Sequence, residues 1–170
     1  SVHIYFTRIV GNAVNIFQIN TSTGEEKALT TGAGNKQFPR MTRDGRHLFY
    51  HLDYNEVIQA DADCSNPKTI VKADFPINPL RDSGYISITQ DGKWLLYSAS
   101  NDAMFLDIYA KKIGTDDSAI KMTYLGGHNT TAFFTPDYKH FLYNCYTVNP
   151  DGNYSLAAYV IDLEVDKKTK

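Results

Sequence analysis

The sequence predicts an all-β fold: a β-propeller of about four blades, each of four antiparallel strands, whose ring is incomplete or is completed by another chain. Two observations make it all-β. Twelve Tyr and nine Phe, with many Ile, Val and Thr, come in short bursts set apart by Gly, Asn, Asp and Pro clusters. No window of a dozen residues carries a sustained helical stripe, and the short candidate from Glu56 to Ala62 sits between turn signals. The third observation, four related stretches of about 45 residues, turns an all-β chain into a propeller.

The repeat is anchored on tight turns. Phe38 to Tyr50, carrying Thr42-Arg43-Asp44-Gly45, aligns with Tyr85 to Tyr97, carrying Thr89-Gln90-Asp91-Gly92. Ala132 to Tyr143, carrying Thr135-Pro136-Asp137-Tyr138, is a third copy. Asp44 and Asp91 stand 47 positions apart, Asp91 and Asp137 46. Each copy reads as an apolar strand, a turn that needs positive φ, a basic residue and a second strand ending in an aromatic. Tyr138 takes the glycine's place in the third copy, so that turn is of another type or holds a non-glycine residue in a costly conformation.

Two more strands follow each hairpin. Ile16 to Asn20, the turn Thr23-Gly24-Glu25 and Lys27 to Thr30 show the pattern best. Val57 to Ala60, Leu106 to Ala110 and Ala158 to Asp162 are the equivalent third strands, and Thr69 to Val71 and Ile120 to Thr123 the equivalent fourth strands. The chain opens inside a blade, because His3-Ile4-Tyr5-Phe6 aligns with His47-Leu48-Phe49-Tyr50, and the last repeat lacks its outermost strand. Repeats of 1–35, 36–81, 82–128 and 129–165, with a polar tail at 166–170, thus hold three, four, four and three strands and leave the ring open.

Composition excludes several function classes. Seventeen basic residues against nineteen acidic, a net charge of −2, give no footprint for a phosphate backbone, so no nucleic acid is expected. No apolar run approaches the roughly 20 residues that cross a bilayer, so no membrane insertion is expected. Cys64 and Cys145 are too few and too far apart for a disulfide framework or metal knot.

The order Thr23-Gly24-Glu25, Leu29-Thr30 and then an aromatic-rich Thr-x-Asp-Gly hairpin resembles the repeat of TolB-like (WD-repeat-like) propellers across essentially the whole chain. Those repeats usually carry Ser-Pro-Asp-Gly where this chain has Thr42-Arg43-Asp44-Gly45. The resemblance implies a non-catalytic interaction module, periplasmic or secreted, that displays loops to a protein or glycan. Related repeats also form the propellers of dipeptidyl and prolyl peptidases, surface proteins and some polysaccharide lyases. The motif therefore identifies fold better than activity, and an enzyme-associated propeller is the alternative.

Local chemistry supplies no catalytic, metal or cofactor site: there is no phosphate loop, His-Glu-x-x-His pair or Gly-x-Ser-x-Gly elbow. His3, His47 and His140 recur at equivalent strand positions, which reads as structure. Asp61, Asp63 and Asp116-Asp117 lack calcium-loop spacing and read as solvated turns. His128, in Gly126-Gly127-His128-Asn129-Thr130, lies where a blade connects to the next and is the leading candidate for ligand or partner binding, with Asn129 beside it. Arg81 and Lys36 occupy the matching connections, and Tyr54 and Asn101, with Asn149, the other turns on the same side. These loops are expected to line one mouth of the propeller.

Overall fold

A computed structural model of the chain describes residues 2–72, 86–100 and 105–163. Its described strands form four antiparallel sheets, hereafter blades 1 to 4, and no helix occurs among those residues. Blade 1 comprises β1 (His3–Val10), β2 (Ala13–Asn20) and β3 (Glu26–Ala28). Blade 2 comprises β4 (Lys36–Met41), β5 (His47–Leu52), β6 (Glu56–Asp61) and β7 (Lys68–Lys72). Blade 3 comprises β8 (Ser87–Ile88), β9 (Trp94–Ser100), β10 (Leu106–Lys112) and β11 (Ile120–Lys121). Blade 4 comprises β12 (His128–Phe134), β13 (His140–Val148) and β14 (Tyr154–Asp162). Among the described residues blades 1 and 4 have three strands each and blades 2 and 3 four, and the sheets do not close into a ring. The segment from Glu56 that offered a helix reading is β6, with Val57, Ile58 and Ala60 buried on its two faces.

The hairpin turns repeat atom for atom. In blade 2 the Thr42 hydroxyl donates to Asp44 Oδ1 (2.7 Å), the same oxygen accepts from Arg46 N (3.0 Å), and His47 N donates to Thr42 Oγ1 (3.1 Å). Thr89, Asp91, Lys93 and Trp94 reproduce this in blade 3, and Thr135, Asp137, Lys139 and His140 in blade 4. The hydroxyl bond, seconded by backbone N–H, holds the carboxyls of Asp44 and Asp137 below the usual range. The glycine position has φ +71 at Gly45 and +69 at Gly92; Tyr138 adopts +55, so this turn keeps its type and accepts the strain of a side chain there. Its ring rests against Phe134, centroids 5.9 Å apart.

Both innermost strands of full length bend at one place. Pairing of β4 with β5 shifts between Gln37 and Arg40, and pairing of β12 with β13 between Thr130 and Phe133; Phe38 (φ +55) and Thr131 (φ +57) stand in those bulges.

Blades pack face to face. Ile16 of blade 1 lies against Leu48, Tyr50, Ile58 and Ala60 of blade 2. Phe49, Val57 and Val71 on the far side of blade 2 meet Ile86, Leu95, Tyr97 and Ala99 of blade 3. Leu96, Ile108 and Ala110 then meet Ala132, Phe141, Tyr143 and Cys145 of blade 4. Each joint is apolar and close-packed, worth about 1.5–3 kcal/mol per large side chain removed from water. Cys145 is buried in the last joint, Cys64 half-buried in the first, and both are free thiols.

Among the buried polar side chains of the described residues, one is a histidine without a hydrogen bond. His51 is 1% exposed, neither ring nitrogen has a hydrogen-bond partner, and the ring stands edge-on to Phe38. Burial pushes its pKa down from 6.5 to about 4. Below pH 6.5 the unfolded chain takes up a proton that the folded chain refuses until near pH 4, so stability falls across that window. The loss reaches about 3 kcal/mol at roughly 1.4 kcal/mol per unit. Urea melts between pH 7 and 4 are expected to show this slope in the parent and a flatter one in His51→Leu, after the shared contribution of the turn aspartates at the acid end; equal slopes contradict it.

Candidate binding face at the mouth of the blades

The connections β1–β2, β3–β4, β5–β6, β11–β12 and β13–β14 all leave the sheets at one end, opposite the Thr-x-Asp turns. At this end the sequence varies from blade to blade.

Lys36 and Asn129 hold equivalent places at the starts of β4 and β12, and both are buried, at 8% and 0% exposure. Neither is presented to a ligand as the sequence suggested. The Lys36 ammonium is wrapped by the β3–β4 connection, donating to the carbonyls of Thr31 (3.1 Å), Gly32 (3.3 Å) and Ala33 and to Asn15 Oδ1 (3.4 Å). Asn15 Oδ1 also accepts from the Thr30 hydroxyl, which accepts from Ile16 N. Blade 3 repeats this with other residues: Thr123 bridges Ile108 N and Asp107 Oδ1, and Asn129 Nδ2 donates to Asp107 Oδ1 (3.2 Å) and Leu106 O (3.1 Å). Lys36 and Asn129 are therefore struts between one blade and the next. A short polar side chain and a long cation serve the same joint because a different acceptor set faces each.

Tyr54 follows Asp53 in a turn where both have positive φ, +65 and +49, and its hydroxyl accepts from Gln37 Nε2 (3.1 Å). Asp53 in turn binds Asn35 N (2.7 Å), tying the β5–β6 turn to the β3–β4 connection. Arg81 and Asn101 lie outside the described residues. The Asn149 turn is closed by its own bonds, Nδ2 donating to the Ser155 hydroxyl (2.8 Å).

His128 opens β12 opposite Tyr146, in a strand and not in a loop. The preceding glycines, φ +74 and +77, turn the chain into that strand, and a Cβ on Gly127 would lie 2.6 Å from the Tyr146 carbonyl oxygen. No other residue fits. His128 is half-buried, its Nδ1 has no hydrogen-bond partner, and its ring is edge-on to Phe105 at 5.1 Å.

Beside it the β11–β12 connection exposes an apolar pair that sequence reading passed over: Tyr124 is 77% and Leu125 65% exposed. The Tyr124 hydroxyl donates to Lys121 O (2.9 Å), and the Lys121 ammonium stands 5.5 Å from that ring while pairing with Asp107 Oδ2 at 2.8 Å. The Asp107 bond raises the Lys121 pKa, keeping the ammonium charged. Tyr124 is thus held outward. Its signal in the sequence was an apolar pair between a finished strand and two glycines, where no sheet can bury it. Phe105 meets His128 where blades 3 and 4 join, and the exposed Tyr124 and Leu125 precede that strand on the β11–β12 connection; these four residues are the candidate aromatic rim. Among the described residues, no group of three or more His, Cys, Asp or Glu side chains is placed to hold a metal ion.

The same succession of blades is found in TolB from Acinetobacter baumannii, at a TM-score of 0.73 and 19% identity over 96% of this chain and 39% of TolB. The chain has a TolB-like propeller fold. An oligogalacturonate lyase in complex with manganese matches at 0.69 and 12% identity, over 95% of this chain and 49% of the lyase. A prolyl endopeptidase matches at 0.57 and 12%, over 91% of this chain and 28% of the peptidase. The chain therefore spans less than half the length of each. No protein-family model and no curated protein sequence matches it.

Replacing Lys36 by Met keeps the stem and removes the ammonium, leaving three carbonyls without that donor and Asn15 Oδ1 with the Thr30 hydroxyl alone. Stability is expected to fall by about 1–3 kcal/mol in urea melts; a variant as stable as the parent contradicts the strut.

Proposed function

We propose that the chain is a non-catalytic interaction module that binds a partner through the mouth of its blades, at the rim of Phe105, Tyr124, Leu125 and His128. The observation that carries this reading is the exposed Tyr124–Leu125 pair, fixed outward by Lys121 and set beside the half-buried His128. Aromatic and aliphatic side chains held rigid at a surface are what interface anchors are made of, because little side-chain entropy is lost on binding. An aliphatic neighbour beside the aromatic favours a protein partner; a glycan would use flat rings alone. The TolB-like fold is compatible with a periplasmic or secreted setting, which only the resemblance suggests.

The alternative, an enzyme-associated propeller, draws support from the lyase and peptidase neighbours. Two assays separate the readings. Tyr124→Ser with Leu125→Ser is expected to leave thermal unfolding unchanged and to weaken capture of a partner, found by affinity purification from the source organism and then purified, at least tenfold. Binding of the variant at parental strength contradicts the proposal; retained signal on a glycan array instead moves the partner class, and turnover of oligogalacturonate with manganese favours the alternative.

A further inference from the structure

The residues of the rim stand on separate stretches of chain, and one buried carboxylate is tied to each stretch. Phe105 lies two positions before Asp107, which is 2% exposed. Asp107 Oδ1 accepts from the Thr123 hydroxyl at 3.1 Å, and Thr123 stands directly before Tyr124. The same oxygen accepts from Asn129 Nδ2 at 3.2 Å, and Asn129 stands directly after His128. Asp107 Oδ2 takes the Lys121 ammonium at 2.8 Å, and that ammonium is 5.5 Å from the Tyr124 ring.

A carboxylate with so little exposure keeps its charge only while donors surround it, so those donors are held closely in turn. Thr123 and Asn129 are themselves buried, and each also bonds backbone: Thr123 Oγ1 accepts from Ile108 N at 3.0 Å, and Asn129 Nδ2 donates to Leu106 O at 3.1 Å. Lys121 is placed differently. With 36% of its side chain exposed, it carries the buried charge out to the surface, where its ammonium meets the Tyr124 ring and its carbonyl takes the Tyr124 hydroxyl at 2.9 Å. In blade 1 the equivalent Asn15 takes Thr30 and Lys36, and there the ammonium turns inward onto carbonyls instead of outward to a ring.

We propose that Asp107 is the positioning residue of the rim: through Lys121 it fixes Tyr124 outward, and through Thr123 and Asn129 it sets how Tyr124, Leu125 and His128 stand to one another. This rests on the reading of the rim as a partner site and adds the group that holds that site ready. Binding then costs little ordering at Tyr124, and the buried ion pair is felt in affinity although Asp107 itself is out of a partner's reach.

Removing both charges at once separates positioning from folding. Asp107→Asn with Lys121→Met leaves no unpaired buried charge, keeps an oxygen for Thr123 and Asn129 and keeps the lysine stem, so the double variant is expected to fold. The full chain is labelled with fluorotyrosine, and the Tyr124 fluorine signal is the one absent from Tyr124→Phe. In the double variant that signal is expected to move toward its position in the urea-unfolded chain, while the signal of the buried Tyr50, in the joint of blades 1 and 2, stays in place. Lys72→Met, which removes the ion pair to Glu56 in blade 2, is expected to leave Tyr124 unmoved. Should the double variant melt early, Lys121→Gln, which still donates to Asp107 but brings no charge to the ring, is expected to give the same movement. A Tyr124 signal that stays put in the folded variants overturns the proposal, whatever the rim binds. Against the partner purified for the rim, the double variant is expected to bind about threefold to tenfold more weakly, the ordering cost of one large side chain. Parental affinity beside a moved signal also overturns the proposal, and leaves the rim itself to be judged by Tyr124→Ser with Leu125→Ser.

Discussion

Everything in this structure depends on the joint between consecutive blades. A sheet of three or four strands with apolar side chains on both faces cannot stand in water alone, and each is stable only where a neighbour covers it. Phe49 and Val57 on one face of blade 2, with Leu48 and Tyr50 on the other, show how completely this holds for an interior blade. Cohesion is therefore a sum of nearest-neighbour terms, each of several buried side chains, and contacts across the ring add nothing in an open arc. The terminal blades each lack one such term, which is why their exposed apolar residues fall on flanks and not at random.

The two ends of the blades follow different rules. At one end a single device, a threonine hydroxyl and an aspartate carboxylate closing the same turn, is copied three times with almost no variation. At the other, the strut between blades is a lysine in one joint and an asparagine in another, and the connections differ in length and content. Uniformity suits a scaffold, and variation suits a surface that has been adapted. The aromatic rim lies at the variable end, so the recognition proposed for it requires no change in the machinery that holds the blades.

Much of the scaffold was legible because its determinants are local. The Thr-x-Asp-Gly turns and the strand that follows each can be read from a few adjacent residues. Tyr138 looked like a fault in the pattern, yet the Thr135–Asp137 bonds hold the turn and the ring finds Phe134. The candidate site was less legible. Lys36 and Asn129 look like loop polar residues, and only the approach of a carbonyl-lined connection or of Asp107, more than twenty positions away, buries them. His51 is interior as well, 1% exposed with the Phe38 ring edge-on to it. What places a side chain here is which blade lies against it, and that is a tertiary property.

Amide hydrogen exchange, followed strand by strand in a solution dilute enough to hold single chains, tests the nearest-neighbour account most directly. It predicts the slowest exchange in β5, β6, β9 and β10, whose sheets are covered on both faces, and the fastest in β1 and β14, whose sheets are covered on one. Equal protection of β14 and β9 in the single chain would contradict it, because the joints would then not be what holds the blades.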